Sequence, residues 1–328
     1  MPPIISLNKV SKIFKAKKKT KGFVNSLKSV LKPNYQEFKA VNNISFQAEK
    51  GEIIGFIGPN GAGKSTTIKM MTGILHQTIG EIKVLGYNPQ KDRKELAMHV
   101  GTVFGQKPQL WYHLPAIDTF DLFSKIYEIP EEIYKKRLKK LIKTFEVQSF
   151  INTPVRQLSL GQRMRLEIMA SLLHNPKVIF LDEPTIGLDI VVKKKIRALI
   201  KKLNKEQQTT IILTSHDMED VETLCKRLII INQGEIVFDG PTKDIKERYL
   251  NKKRLTVILS KKIKEIKLPG AKTMFKGDYK HGLEVDTSKH SIQKVIQKLT
   301  SKYAIEDINI QDPPIEEIIE EIFKGKKV

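Results

Sequence analysis

The chain has 328 residues, 40% hydrophobic and 29% charged, with a formal net charge of +22 and a single cysteine. That length allows one large domain and one small one. A lone Cys225 excludes an internal disulfide framework, and no apolar run approaches the roughly 18 residues of a membrane span. The positive balance favours an anionic partner, membrane surface or nucleic acid, without choosing between them.

The first residues, Met1 to Ile5, lack the basic and then apolar pattern of a secretion signal, so a cytoplasmic location is expected. Ile4 to Phe14 reads as a strand. A basic run, Lys15 to Lys21, follows it. Phe23, Val24, Leu27, Val30 and Leu31 then share one helical face before Pro33 ends the pattern. A short amphipathic helix with a polybasic lead-in suits an anionic membrane surface or a partner protein; it also suits a solvated insertion folded on its own domain.

Ile53-Ile54-Gly55-Phe56-Ile57 is an apolar run of strand length, and Thr67 to Leu75 carries apolar residues at helical spacing. Between them lies Gly58-Pro59-Asn60-Gly61-Ala62-Gly63-Lys64-Ser65-Thr66, which fits G-x-x-x-x-G-K-[ST] in its strand-to-helix context. Glycines let successive backbone N–H groups turn inward onto phosphate oxygens, and the following helix presents its positive end to the same anion. Lys64 can reach the β- and γ-phosphates of a nucleotide, and the Ser65 hydroxyl can ligate Mg²⁺.

Gly80 to Gly86 resembles a hairpin arm, and Val100 to Phe104 reads as a strand running into Gly105-Gln106-Lys107-Pro108-Gln109. Asp118 to Phe150 is mostly helical and highly charged, divided at Pro130; Tyr134, Leu138, Leu141, Ile142 and Phe145 form the buried face of its second helix. Leu158-Ser159-Leu160-Gly161-Gln162 leads into a further helix ending near Leu173. Val178 to Asp182 and Thr210 to Ser215 are apolar runs of the kind that form buried parallel strands, one closed by Asp182-Glu183 and the other by His216. Leu228 to Ile231 and Glu235 to Phe238 read as a hairpin around Asn232-Gln233-Gly234. Beyond Tyr249 the pattern changes to that of a separate small α+β domain, with a strand at Leu255 to Leu259 and helices around Ile292 to Leu299 and Ile315 to Ile322.

These motifs, in this order and spacing, resemble the nucleotide-binding subunit of an ATP-binding cassette transporter over roughly Ile4 to Tyr249, and within that family the ATPases of ABC-2 type, NatA-like exporters. The narrower likeness rests on Phe104-Gly105-Gln106 with Trp111 downstream, on the Ser159 segment and on the C-terminal extension. The resemblance implies an α/β P-loop NTPase cassette: a mixed central sheet with helices, an antiparallel arm and a helical subdomain, followed by the small C-terminal α+β domain. The expected division is a nucleotide-binding domain over 1–249, with the basic insertion at about 15–38 and the helical subdomain at about 107–165, and an accessory domain over 250–328.

By the same resemblance, Gly58 to Thr66 binds the phosphates of ATP. Mg²⁺ is held by Ser65, Gln106 and Asp182, and Phe14 stacks on adenine. The catalytic group comprises Lys64, Gln106, Glu183 as the base that polarises water, and His216 on the γ-phosphate. Gln109 is an alternative to Gln106. Ser159, Gly161 and Gln162 form the signature that contacts the γ-phosphate held by another cassette, with Leu160 where the family has glycine, and Asp189 lies in the loop after the second acid. Trp111 is either core packing or a contact to the membrane partner. The implied protein is an ATP-hydrolysing subunit that dimerises on ATP, with itself or a similar ATPase, and powers transport, with export favoured. Its partner is a separate integral-membrane permease at the cytoplasmic face. The alternative is a soluble cassette ATPase acting on ribosomes or nucleic acid. It is disfavoured because the chain has one phosphate loop and no sustained heptads between Ser65 and Ser159.

Overall fold

A computed structural model describes residues 2–17, 35–105, 107–249, 252–313, 318–319 and 323. The amphipathic segment expected at Phe23 to Leu31 and the residue Gln106 lie outside the described residues. The chain divides into two compact units, Met1–Gly240 and Pro241–Val328.

In the first unit the elements run β1 (Ile5–Lys17), β2 (Tyr35–Ala48), β3 (Ile53–Ile57), α1 (Lys64–Met71), β4 (Ile79–Val84), α2 (Arg93–Ala97), β5 (Val100–Phe104), α3 (Ala116–Ile126), α4 (Glu131–Phe145), α5 (Leu160–Leu172), β6 (Val178–Asp182), α6 (Ile190–Gln207), β7 (Thr210–Thr214), α7 (Met218–Leu224), β8 (Arg227–Asn232) and β9 (Glu235–Pro241). Strands β2, β1 and β4 form an antiparallel sheet, and the central sheet has the order β5-β6-β7-β3-β8-β9. The β1 and β2 ladder continues to Lys17↔Tyr35. Both ends of the stretch expected as an insertion are therefore strand, because β1 and β2 satisfy each other's backbone groups beyond the body of the domain.

The pairs β5–β6, β6–β7, β7–β3 and β3–β8 are all parallel. In register, Phe104 lies beside Asp182 and Asp182 beside Thr214. The loops after β5, β6 and β7 therefore leave the same edge of the sheet. Ligands of open parallel sheets bind at this carboxyl edge. Gln233 (φ 48°) and Gly234 (φ 83°) make the two-residue turn between β8 and β9, the mirror-image geometry that suits strand twist. Ile5, Ile44 and Phe46 of the antiparallel sheet, Ile68 and Met71 of α1, and Phe56 and Phe180 of the central sheet share one core. That core anchors the loop before α1 from below.

The second unit holds α8 (Thr242–Tyr249), β10 (Lys252–Leu259), β11 (Ala271–Phe275), β12 (Lys280–Asp286), α9 (Ile292–Lys302) and β13 (Ile305–Gln311). Its sheet has the order β11-β12-β10-β13, with neighbours antiparallel. Leu283 and Val285 of β12 join Leu255 and Val257 of β10, and Val295 and Leu299 of α9, in its core. His281 lies on the same face of β12 as Leu283 and is fully buried. Neither of its ring nitrogens has a hydrogen-bond partner among the described residues. A buried polar group left unpaired costs about 1–3 kcal/mol. His281→Leu is therefore expected to stabilise this unit by a similar amount in urea unfolding of the full chain, and a loss of stability would refute that account of the core.

Candidate functional site

The loop from Gly58 to Thr66 is shaped by close approaches that only glycine permits. A Cβ on Gly58 would lie 2.2 Å from the Ile231 carbonyl oxygen, and one on Gly63 would lie 2.5 Å from that of Ala40. Gly63 also takes φ 110°, where a side chain is strained. The result is a backbone cradle closed by the first turn of α1, which starts at Lys64. The Lys64 ammonium donates to the carbonyls of Gly58 at 2.6 Å and Pro59 at 3.1 Å. Burial pulls its pKa below the ordinary lysine value, against the opposing pull of the Glu183 and Asp182 carboxylates. An anion in the cradle would favour the charged form further.

Beside the cradle is a cavity of about 260 Å³, lined among others by Asn60, Ser65, Gly105, Lys107, Asp182 and Glu183. Strand register explains the convergence. Thr214 Oγ1, at the end of β7, donates to Asp182 Oδ1 at 2.5 Å, and the Gly105 N–H donates to the Asp182 carbonyl at 2.9 Å. The Glu183 N–H donates to both the carbonyl and the Oγ1 of Thr214 at 3.1 Å. Glu183 sits at φ 56°, the left-handed region. A non-glycine residue held there costs of order 1–3 kcal/mol, and such strain clusters at functional sites. His216 Nε2 approaches Glu183 Oε1 at 2.8 Å while the histidine side chain stays open to solvent. His216 is therefore a surface histidine facing Glu183.

The structure thus brings Ser65, Asp182, Glu183 and His216 to one place beside Lys64. A hydroxyl and a carboxylate oxygen are the hard donors that suit Mg²⁺, which usually keeps waters and takes phosphate oxygens for its remaining positions. Among the described residues no group of three acidic, histidine or cysteine side chains is placed to hold a metal ion.

Other expected residues lie elsewhere. Ser159 is the N-cap of α5: its Oγ accepts the Gln162 N–H at 3.2 Å, while Gln162 Oε1 accepts the Ser159 N–H at 2.8 Å. This reciprocal capping box orders the start of the helix. A Cβ on Gly161 would meet Val192 Cγ1 at 2.8 Å, and one on Gly187 would meet Leu160 Cδ2 at 3.0 Å. The leucine that stands in place of glycine therefore rests on the loop before α6. Asp189 caps α6, accepting the Val192 N–H at 2.9 Å. Ser159, Gly161, Gln162 and Asp189 do not line the cavity of Ser65 and Asp182. Phe14, on β1, pairs across the ladder with Phe38; both rings are exposed, and Lys12 Nζ sits 5.1 Å from the Phe14 ring centre. Gln109 donates its side-chain amide to the Thr102 carbonyl. Trp111 is 47% exposed, which excludes core packing. Cys225 is buried, and burial pushes its thiol pKa up.

A buried network behind the site was not read from the sequence. Asp220, fully buried, accepts hydrogen bonds from Thr185 Oγ1, from Ser215 Oγ at 2.8 Å and from Arg197 Nε at 2.5 Å. Arg197 also lies at ion-pair distance from Glu219 (2.9 Å) and Asp217 (3.2 Å). Thr185 follows Glu183 by two residues and Ser215 directly precedes His216, so one carboxylate ties the loops after β6 and β7 together. The signal in the sequence is Arg197 itself, the only arginine of a lysine-rich helix and next to Ile196 on its apolar face. A planar fork suits a buried site where lysine does not.

A family model described as ABC transporter matches residues 41–186. The ABC transporter ATP-binding protein NatA of Bacillus subtilis (strain 168) is 34% identical over 228 residues, 70% of this chain and 92% of NatA. The linearmycin resistance ATP-binding protein LnrL of the same strain is 32% identical over 297 residues, 88% of this chain and 94% of LnrL. Among solved structures, the dimeric post-hydrolysis state of the ATP-binding cassette MJ0796 bound to ADP and Pi superposes with a TM-score of 0.61 at 28% identity, covering 72% of this chain and 98% of that one.

Proposed function

The chain belongs to the ABC transporter family and is an ATP-binding cassette ATPase; from that premise we propose that it powers export through a separate integral-membrane partner at the cytoplasmic face. The observation that carries the catalytic reading is the convergence of Ser65, Asp182 and Glu183 on one cavity beside the phosphate cradle, with His216 2.8 Å from Glu183. Gly58 to Thr66 holds the phosphates of ATP. Lys64, now bonded to two loop carbonyls, turns to the β- and γ-phosphates when they arrive. Ser65 and Asp182, with Gln106, would hold Mg²⁺, which would supply charge neutralisation at the phosphates. The binding of Gln109 to Thr102 supports Gln106 for that role.

Glu183 orients the attacking water and accepts its proton, and His216 positions that carboxylate and contacts the γ-phosphate. Phe14 offers a ring face to adenine. Ser159, Gly161 and Gln162, at a helix N-terminus away from the cavity, bind the γ-phosphate held by a second cassette, with Asp189 at the same contact. That second cassette is another copy of this chain or a similar ATPase. ATP therefore closes two cassettes, and hydrolysis reopens them. No helix among the described residues is long and apolar enough to cross a membrane, and the proposed membrane partner takes up the work of closure. The exposed Trp111, Tyr112 and Leu114 are a fitting contact for it.

Co-purification tests this. A tagged chain extracted from native membranes in mild detergent is expected to bring down a multi-span membrane protein in stoichiometric amount. Ribosomes or nucleic acid in its place would replace the transport reading with the soluble one.

A further inference from the structure

Glu167 is buried on α5, seven residues after Leu160. Its carboxylate accepts the backbone N–H of Gln109, at 3.0 Å to Oε2 and 3.2 Å to Oε1, and lies 3.5 Å from the N–H of Leu110. A buried carboxylate is costly unless its oxygens are satisfied, and here the donors come from the loop that follows β5. Burial pushes the Glu167 carboxyl pKa up, while those N–H donors draw it down.

The same loop is tied on its other sides. The Trp111 N–H donates to Thr119 Oγ1 at 3.3 Å, and the N–H groups of Arg156 and Val155 donate to the carbonyls of Tyr112 (2.9 Å) and Leu114 (3.1 Å). A rigid loop thus carries the exposed side chains of Trp111, Tyr112 and Leu114. A helix rises about 1.5 Å per residue, so Glu167 lies roughly 12 Å along a stiff rod from the Ser159 cap.

We propose that Glu167 is a positioning residue that carries movement between the Trp111–Leu114 loop and the N-terminus of α5, so that nucleotide engaged at Ser159 to Gln162 is felt at Trp111. This rests on the reading of that N-terminus as a phosphate contact in an assembled pair. Glu167 touches neither nucleotide nor partner. It couples the two surfaces because its carboxylate fixes the backbone of one to the helix of the other.

Trp111 is the only tryptophan of the chain, so it reports on its own surroundings. The full-length protein is titrated with ATP and Mg²⁺ while tryptophan emission is followed, and ATP affinity is measured separately by equilibrium dialysis. The parent chain is expected to give a saturable change that tracks occupancy. In Glu167→Ala the change in emission should be largely lost, with ATP affinity kept near that of the parent chain. Glu167→Gln keeps one carbonyl acceptor and should give an intermediate amplitude at unchanged affinity. If the alanine variant does not fold, the glutamine variant decides alone. Full amplitude in the deciding variant, or a parent chain that pairs on ATP, by light scattering of the same samples, with no response at Trp111, overturns the relay. A parent chain that binds ATP without pairing overturns instead the reading on which it rests.

Discussion

Glu183→Gln is expected to bind ATP as the parent chain does and to turn it over about 10²–10⁴-fold more slowly, the usual worth of a positioned general base. The substitution is close to isosteric. Glutamine can keep an acceptor oxygen where Glu183 Oε1 meets His216 Nε2 at 2.8 Å. Its backbone N–H can keep the two contacts to Thr214 at 3.1 Å. Neither residue is β-branched, so the strain of φ 56° is unchanged. What is lost is the ability to take a proton from water. Equilibrium dialysis for binding and phosphate release for turnover separate the two effects. Unchanged turnover would remove Glu183 from the chemistry. Loss of binding together with turnover would assign it to the shape of the cradle.

The groups around Glu183 differ in how far they could be read in advance. Lys64, Ser65, Asp182 and His216 stand at the ends of apolar runs, and a phosphate cradle needs glycines at short, fixed spacing; such demands are local and leave a local pattern. The order of the central sheet leaves none. β3 lies between β7 and β8, whose residues follow some 150 positions later, and only long-range packing decides that. The length of β1 was hidden too, because its outer half buries little: Lys15 pairs with Glu37 at the surface. Ser159 and Gln162 read as a signature segment, but their reciprocal cap emerges only with helix geometry. Glu167 and Asp220 escaped because an acid on a helix is ordinary, and the meaning of each lies in donors from other segments.

Arg197→Ala is expected to destabilise the cassette by about 3–5 kcal/mol, the penalty for leaving a buried charge without its partner. The Arg197 side chain is 3% exposed and that of Asp220 0%, with 2.5 Å between Nε and Oδ1. Removing the guanidinium leaves the Asp220 carboxylate buried with only the hydroxyls of Thr185 and Ser215 to satisfy it. Lys195→Ala on the same helix is the control. Its pair with Glu146 spans 3.2 Å at side-chain exposures of 53% and 68%, and solvent screening holds such a pair below about 1 kcal/mol. Urea unfolding of the two variants should therefore differ several-fold in the free energy lost. Arg197→Lys keeps the charge but loses the fork that reaches Asp217, Glu219 and Asp220 together, and should fall between them. Because Asp220 ties Thr185 to Ser215, Arg197→Lys should also lower turnover with little change in ATP affinity, since Lys64 and the phosphate cradle are untouched. If Arg197→Ala proves no less stable than Lys195→Ala, the network is incidental packing, and the alignment of Glu183 with His216 must come from the Thr214 contacts alone.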